Sequence, residues 1–155
     1  MKLREACRTL TPEVFPRRQV MQGRYRDVDV RRHINNAAVV DLFSEARFLL
    51  MDELFAMKDR PRGMFFVVGQ QAAFYAGEAL FPGHIEIGSG ILEIGRTSAR
   101  FAQAFFNNGK CTSVVEAVLV CSLRGRAVPI PPEVVENCHR LLLPEGLLPR
   151  QLISL

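Results

Sequence analysis

The chain has 155 residues, 48% of them apolar and 23% charged, with a formal net charge of +4. That length suits one domain with a real core, and the composition excludes a disordered or fibrous chain. No stretch approaches the roughly 18 uninterrupted apolar residues of a membrane span, so no membrane partner is expected.

The first residues, Met1 to Glu5, run into a segment of mixed polarity with no apolar export region, and a cytoplasmic location is expected. Residues 1–16 carry Pro12 and Pro16 and read as an irregular lead-in. The segment 17–26 reads as a first strand of weak apolar content. Arginines crowd this region: Arg17, Arg18, Arg24, Arg26, Arg31 and Arg32. Such a cluster suits phosphates, whether of nucleic acid or of a nucleotide-bearing ligand. Only Tyr25 is interleaved with it, so a nucleic-acid partner is not expected.

A polar turn spans Asp27 to His33, and Asn35-Asn36 follows as a helix-capping signal. From there Val39, Leu42, Phe43, Ala46, Leu49, Leu50 and Leu54 recur at helical spacing. The pattern predicts a long helix from about Asn36 to about Met57, stopped before Arg60-Pro61. Beyond Gly63 the period becomes that of strands: 64–75, a segment around Ile85 and Ile87, 98–106, and 110–124. Asn107-Asn108-Gly109 is a hairpin turn, so the last two strands pair antiparallel. The remaining chain, 129–155, is a C-terminal extension with one short helix near 133–142.

The order is therefore strand, one long helix, then four strands in meander order, in a single domain with its core at about 17–128. A lone helix of this length must bury its stripe against a sheet face. That predicts an α+β layer in which a curled antiparallel sheet of about five strands wraps around the helix. Ala72, Ala73, Ala76, Gly77, Gly88 and Gly90 allow close approach or bending of that sheet. Cys7, Cys111, Cys121 and Cys138 show no CxxC spacing, and only three histidines accompany them. No structural zinc is expected, and the thiols read as reduced and mostly buried.

The segment from Asp27 to Asn36 carries the chemistry. It places two carboxylates, an imidazole and two amides just ahead of a helix N-terminus, where unpaired N–H groups and partial positive charge stabilise an oxyanion. A carboxylate there can attack a carbonyl or activate water. Two other readings use the same residues. Asp29 and Asn35 can simply cap the helix, or Asp27, Asp29 and His33 can bind a divalent ion. A calcium loop of the EF-hand type fails, because Arg32 occupies its glycine position and Ala38 its final glutamate position. Glu45 lies four residues after Asp41, a like-charge pair that costs roughly 0.2–0.5 kcal/mol if exposed.

D-x-D-x-x-x-H-x-N-N, followed by a long helix with Ser44-Glu45-Ala46-Arg47, resembles the hotdog-fold thioesterases of the 4-hydroxybenzoyl-CoA thioesterase type. The resemblance continues at Ala79 to Gly83, Ile94 to Ser98 and Val128 to Pro131, covering about 18–135. It implies hydrolysis of an acyl-CoA or acyl-carrier-protein thioester, coenzyme A being part of the substrate and no separate cofactor being needed. It implies Asp29 as nucleophile or general base, His33 as its orienting imidazole, the amide of Asn36 as oxyanion donor, and Glu45 as a helix glutamate near the site. Arg31, Asn35, Arg96, Thr97 and Ser98 become substrate-binding candidates. The plant acyl-carrier-protein branch has an asparagine where this chain has Arg31, a departure from that branch's arrangement. The family's sites lie between subunits, so a homo-oligomer, either a dimer or a dimer of dimers, is expected, with Arg17, Arg18, Arg24 and Arg26 near nucleotide phosphates. Phe48, Phe65, Phe66 and Phe74 either shape an acyl pocket or belong to the core. A dehydratase or hydratase, and a non-catalytic acyl-CoA-binding module, are the alternatives.

Overall fold

A computed structural model describes residues 3–148. The elements run α1 (Leu3–Thr9), β1 (Arg17–Met21), α2 (Asn36–Leu54), β2 (Met64–Tyr75), β3 (Ile85–Ile94), β4 (Ser98–Asn107), β5 (Lys110–Leu123), β6 (Arg126–Ala127) and α3 (Pro132–His139). Short 3-10 turns cover Pro12–Val14 and Tyr25–Asp27. All strand pairs are antiparallel, in the order β1-β3-β4-β5-β2, with β6 pairing β5.

The expected curled sheet around one long helix is present. Register shifts at Val68/Gln70, Ile91/Glu93 and Phe105/Phe106 are bulges, each of which bends its strand. The inner stripe of α2 (Val39, Leu42, Phe43, Ala46, Leu50, Leu54) is buried as its spacing predicts. At its start it meets Ile87, Phe105 and Val115, and near its end Phe66, Phe101 and Leu119.

Arg47 is also buried, within the helix's core-facing stripe, and its guanidinium is held by neutral oxygens. Nη1 donates to Gln103 Oε1 (2.8 Å), and Nη2 to Gln71 Oε1 (2.7 Å) and Ser44 Oγ (3.3 Å). Gln103 Nε2 in turn donates to Phe43 O and Ser89 Oγ. A buried cation requires such satisfaction, and this network ties α2 to β2, β3 and β4.

Four sequence expectations are corrected. The lead-in is not wholly irregular: α1 packs Ala6 and Cys7 on the outer face of the sheet with Leu10, Phe106 and Val114. The first strand ends at Met21, since the chain turns at Gly23 into the 3-10 segment closed by Asp27. Helix α2 stops at Leu54, because Phe55 leaves helical geometry to pack edge-on against Phe66. The strands after α2 are not a simple meander. β2 pairs β5 at the far edge, over a ladder from Met64↔Leu123 to Tyr75↔Ser113, and only β3-β4-β5 follow one another. Neighbours in sequence are usually neighbours in a sheet. Here the connection from Ala76 to His84 carries the chain from one side of the sheet to the other instead.

The C-terminal segment is part of the core. Ile130, Val134, Cys138 and Leu141 join the inner cluster. The short helix ends at His139, and the chain then bonds along β3, with Ile91 N–H donating to Leu141 O (2.7 Å) and Leu143 N–H to Ile91 O (2.8 Å). Gly90 permits this approach: a Cβ there would lie 2.5 Å from Leu143. Residues 149–155 of the extension lie outside the described residues.

Candidate functional site

Asp27 is buried and builds the loop. Its Oδ2 accepts the Arg24 backbone N–H (2.8 Å) and Nε–H (3.2 Å), and its carbonyl accepts both the backbone N–H and the side-chain amide of Asn35 (2.9 and 3.0 Å). Asn35 then caps α2, its Oδ1 accepting the Ala38 amide at 2.8 Å. This leaves the amides of Asn36 and Ala37 as first-turn donors without a partner among the described residues. Asn35 was a candidate for substrate binding; its side chain is occupied at both ends by the backbone. Asn35→Ala is expected to cost about 1 kcal/mol in denaturant unfolding, as N-cap losses do, and to lower hydrolysis by loosening the helix start.

Between these anchors Val28 bridges Ile34, and Asp29 closes the loop that joins them. Asp29 N–H donates to His33 O (2.9 Å), and Asp29 Oδ1 accepts the amides of Arg31 (2.9 Å) and His33 (3.1 Å). The turn forces Arg32 to φ 61°, a left-handed conformation uncommon outside glycine. The Asp29 carboxylate is exposed and held below its usual value of 3.8, first by the His33 amide and then by the Arg31 amide, with the charges of His33 and Arg31 adding to both. One of its oxygens holds the loop; the other has no protein partner among the described residues.

These residues line a cleft of about 330 Å³ at the start of α2, where Asp29, Arg31, His33 and Asn36 face Tyr75 and Glu78. Tyr75 Oη donates to Asn36 O at 3.4 Å, and burial raises its hydroxyl pKa. Glu78 reaches both Arg31 Nη2 (2.8 Å) and His33 Nε2 (3.4 Å). Sequence reading passed over Tyr75, Glu78 and Ser113, which come from β2, its following loop and β5. No spacing in the chain links them to Asp29: the β2–β5 pairing sets Tyr75 beside Ser113, and the bond from the Ile34 amide to Ala79 O brings the Glu78 segment to the Asp29 loop.

The structure does not bring the remaining candidates to this cleft. Glu45 is exposed farther along α2. Arg96, Thr97 and Ser98 lie at the β3–β4 turn, where the carbonyls of Arg96 and Thr97 accept the amides of Ile130 and Cys121. That turn is at the opposite end of ten-residue strands, roughly 30 Å away. Of the arginines expected near phosphates, Arg17 pairs with Glu53, Arg18 lies near Glu13 and Glu86, and Arg24 pairs with Asp27. Phe66 is core, Phe74 packs on the outer cluster, and Phe48 and Phe65 are exposed. No group of three or more His, Cys, Asp or Glu placed to hold a metal occurs among the described residues. None of the described helices is long and apolar enough to cross a membrane.

A family model described as the thioesterase-like superfamily matches residues 24–138. No curated protein matches the chain. Among solved structures, a Pseudomonas aeruginosa protein superposes with a TM-score of 0.76 at 23% identity, over 86% of this chain and 96% of its own. A Thermus thermophilus thioesterase crystallised with coenzyme A and zinc gives a TM-score of 0.73 at 27% identity, over 83% and 96%. A predicted thioesterase of Bacillus stearothermophilus gives 0.72 at 22%, over 83% and 98%.

Proposed function

The chain belongs to the thioesterase-like superfamily, with the hotdog fold, and from that premise we propose that it hydrolyses an acyl-CoA or acyl-carrier-protein thioester to free acid and thiol. The observation that carries this reading is the cleft itself. An ionised, exposed carboxylate, Asp29, shares it with Asn36 at the start of α2, whose amide has no partner among the described residues. The thioester carbonyl lies against the Asn36 amide, which takes up negative charge as the carbonyl carbon becomes tetrahedral; such a donor contributes about 2.7–4 kcal/mol. Asp29 either adds to that carbon, giving a mixed anhydride that water cleaves, or takes a proton from the attacking water. The thiolate departs and is protonated. The reaction consumes only thioester and water, so no separate cofactor is required.

Coenzyme A as the carrier is supported by the Thermus thermophilus thioesterase bound to it. We place the protein in the cytoplasm, where its four free cysteines suit a reducing compartment. Thiol release from a panel of acyl-CoAs and acyl-carrier-protein thioesters tests the function. Turnover of part of the panel supports it. Binding without release replaces it with a non-catalytic acyl-CoA-binding module, in which Asp29 only closes its turn.

The working form is a homo-oligomer joined along β2. That strand is a twelve-residue edge of the described sheet, with Phe65, Val67 and Val68 exposed. A long apolar edge is a template for pairing with a second copy. Sedimentation is expected to give a dimer or larger for the wild type and a monomer for a Val67→Lys, Val68→Lys double variant. A monomeric wild type contradicts this assembly.

A further inference from the structure

The chain holds Glu78 in place more firmly than its exposure suggests. The amides of Ala76 and Gly77 both donate to Thr112 O (2.8 and 3.0 Å). Thr112 is the extra residue of the β4–β5 bulge, where pairing passes from Phe105↔Ser113 to Phe106↔Cys111. On the other side, Ala79 O accepts the Ile34 amide (2.8 Å). Leu80 exchanges two hydrogen bonds with the side chain of buried Asn107. The backbone on both sides of Glu78 is therefore pinned to the sheet and to the Asp29 loop.

From that fixed point the carboxylate engages two side chains of the cleft, the Arg31 guanidinium through Oε1 and the His33 imidazole through Oε2. Half-exposed ion pairs of this kind contribute little to stability. Their effect here is on placement. Arg31 and Asp29 belong to the same tight turn, and the Arg31 charge already acts on the Asp29 carboxylate, which is therefore an alternative partner for a released guanidinium. An arginine paired to that carboxylate stabilises its charge, lowers its basicity and blocks its free oxygen.

We propose that Glu78 is a positioning residue that holds Arg31 away from Asp29, leaving the Asp29 carboxylate free to act. The kinetic consequence rests on the thioesterase reading above; the placement of Arg31 does not.

Three variants test it: Glu78→Gln, Arg31→Gln and the double variant. Glu78→Gln is expected to lower kcat about tenfold with KM within about twofold and to leave the thermal midpoint unchanged. The double variant is expected to recover at least about threefold over Glu78→Gln, because the misplaced cation has been removed. A crystal structure of Glu78→Gln should show Arg31 within ion-pair distance of Asp29. A double variant no faster than Glu78→Gln, or an Arg31 that stays off Asp29 in that crystal structure, overturns the proposal. A wild type that releases no thiol sinks the hydrolase reading, and the crystal structure then decides the role of Glu78 by itself.

Discussion

Asp29→Asn is expected to lower kcat for thioester hydrolysis by about 10²- to 10⁴-fold, the usual worth of a positioned base or nucleophile, while the protein stays folded. The substitution is nearly isosteric. The amide oxygen of asparagine can still accept the N–H groups of Arg31 and His33 that Oδ1 accepts now, so the loop and the cap at Asn35 survive. What is lost is the negative charge and the lone pair on the free oxygen. Thiol release beside circular dichroism of both proteins separates chemistry from folding. A variant retaining more than a tenth of wild-type kcat removes Asp29 from the mechanism.

The same carboxylate sets a pH expectation. Hydrogen bonds from the His33 and Arg31 amides favour its charged form and hold its pKa below 3.8 in the folded protein. A depressed acid of this kind stabilises the fold above its unfolded pKa, and that contribution is lost as pH falls through the lower folded value. Activity follows the same sign: the acid limb belonging to Asp29 lies below 3.8. A limb centred above about pH 5 that survives His33→Gln would contradict it.

Phe43→Ala is expected to destabilise the protein by about 3–5 kcal/mol, read as a lower denaturant midpoint at unchanged slope. Phe43 is fully buried on the inner face of α2 and meets Phe105 edge-on, with ring centroids 5.9 Å apart. Around it stand Leu42, Ile87 and Val115, fixed in α2, β3 and β5. A rigid helix and sheet cannot close over the missing ring, so the cavity persists and its cost adds to the lost burial. The backbone carbonyl of residue 43 still accepts Gln103 Nε2, so the polar network under α2 is not the source of the loss. Phe43→Leu, which refills most of the volume, is expected to cost less than half as much. A loss for Phe43→Ala below about 1 kcal/mol would mean that α2 is not seated as described.

Much of the site was legible because it is local. Asp27, Asp29, His33, Asn35 and Asn36 lie within ten consecutive residues, and turn and cap chemistry depends on near neighbours. The candidates far away in sequence fared differently. Arg96, Thr97 and Ser98 were drawn in by likeness to a family, and the sheet carries them to its other end. Glu78 lies in a connection whose sequence shows nothing unusual, yet it engages Arg31 and His33.

The α2 stripe, the strand segments and the β4–β5 hairpin can be read directly from the chain, because each follows from side-chain period or from turn residues acting over a few positions. The polar turn from Asp27 to His33 is equally local, since the hydrogen bonds that close it on Asp29 span at most four residues. Long-range packing sets the pairing of β2 with β5, the completion of the core by the segment after Pro129, and the placement of Glu78 and Tyr75 opposite Asp29. Those outcomes depend on which surfaces can be buried together once the helix lies in the sheet. That is a property of the whole packed chain, and no window of neighbouring residues contains it.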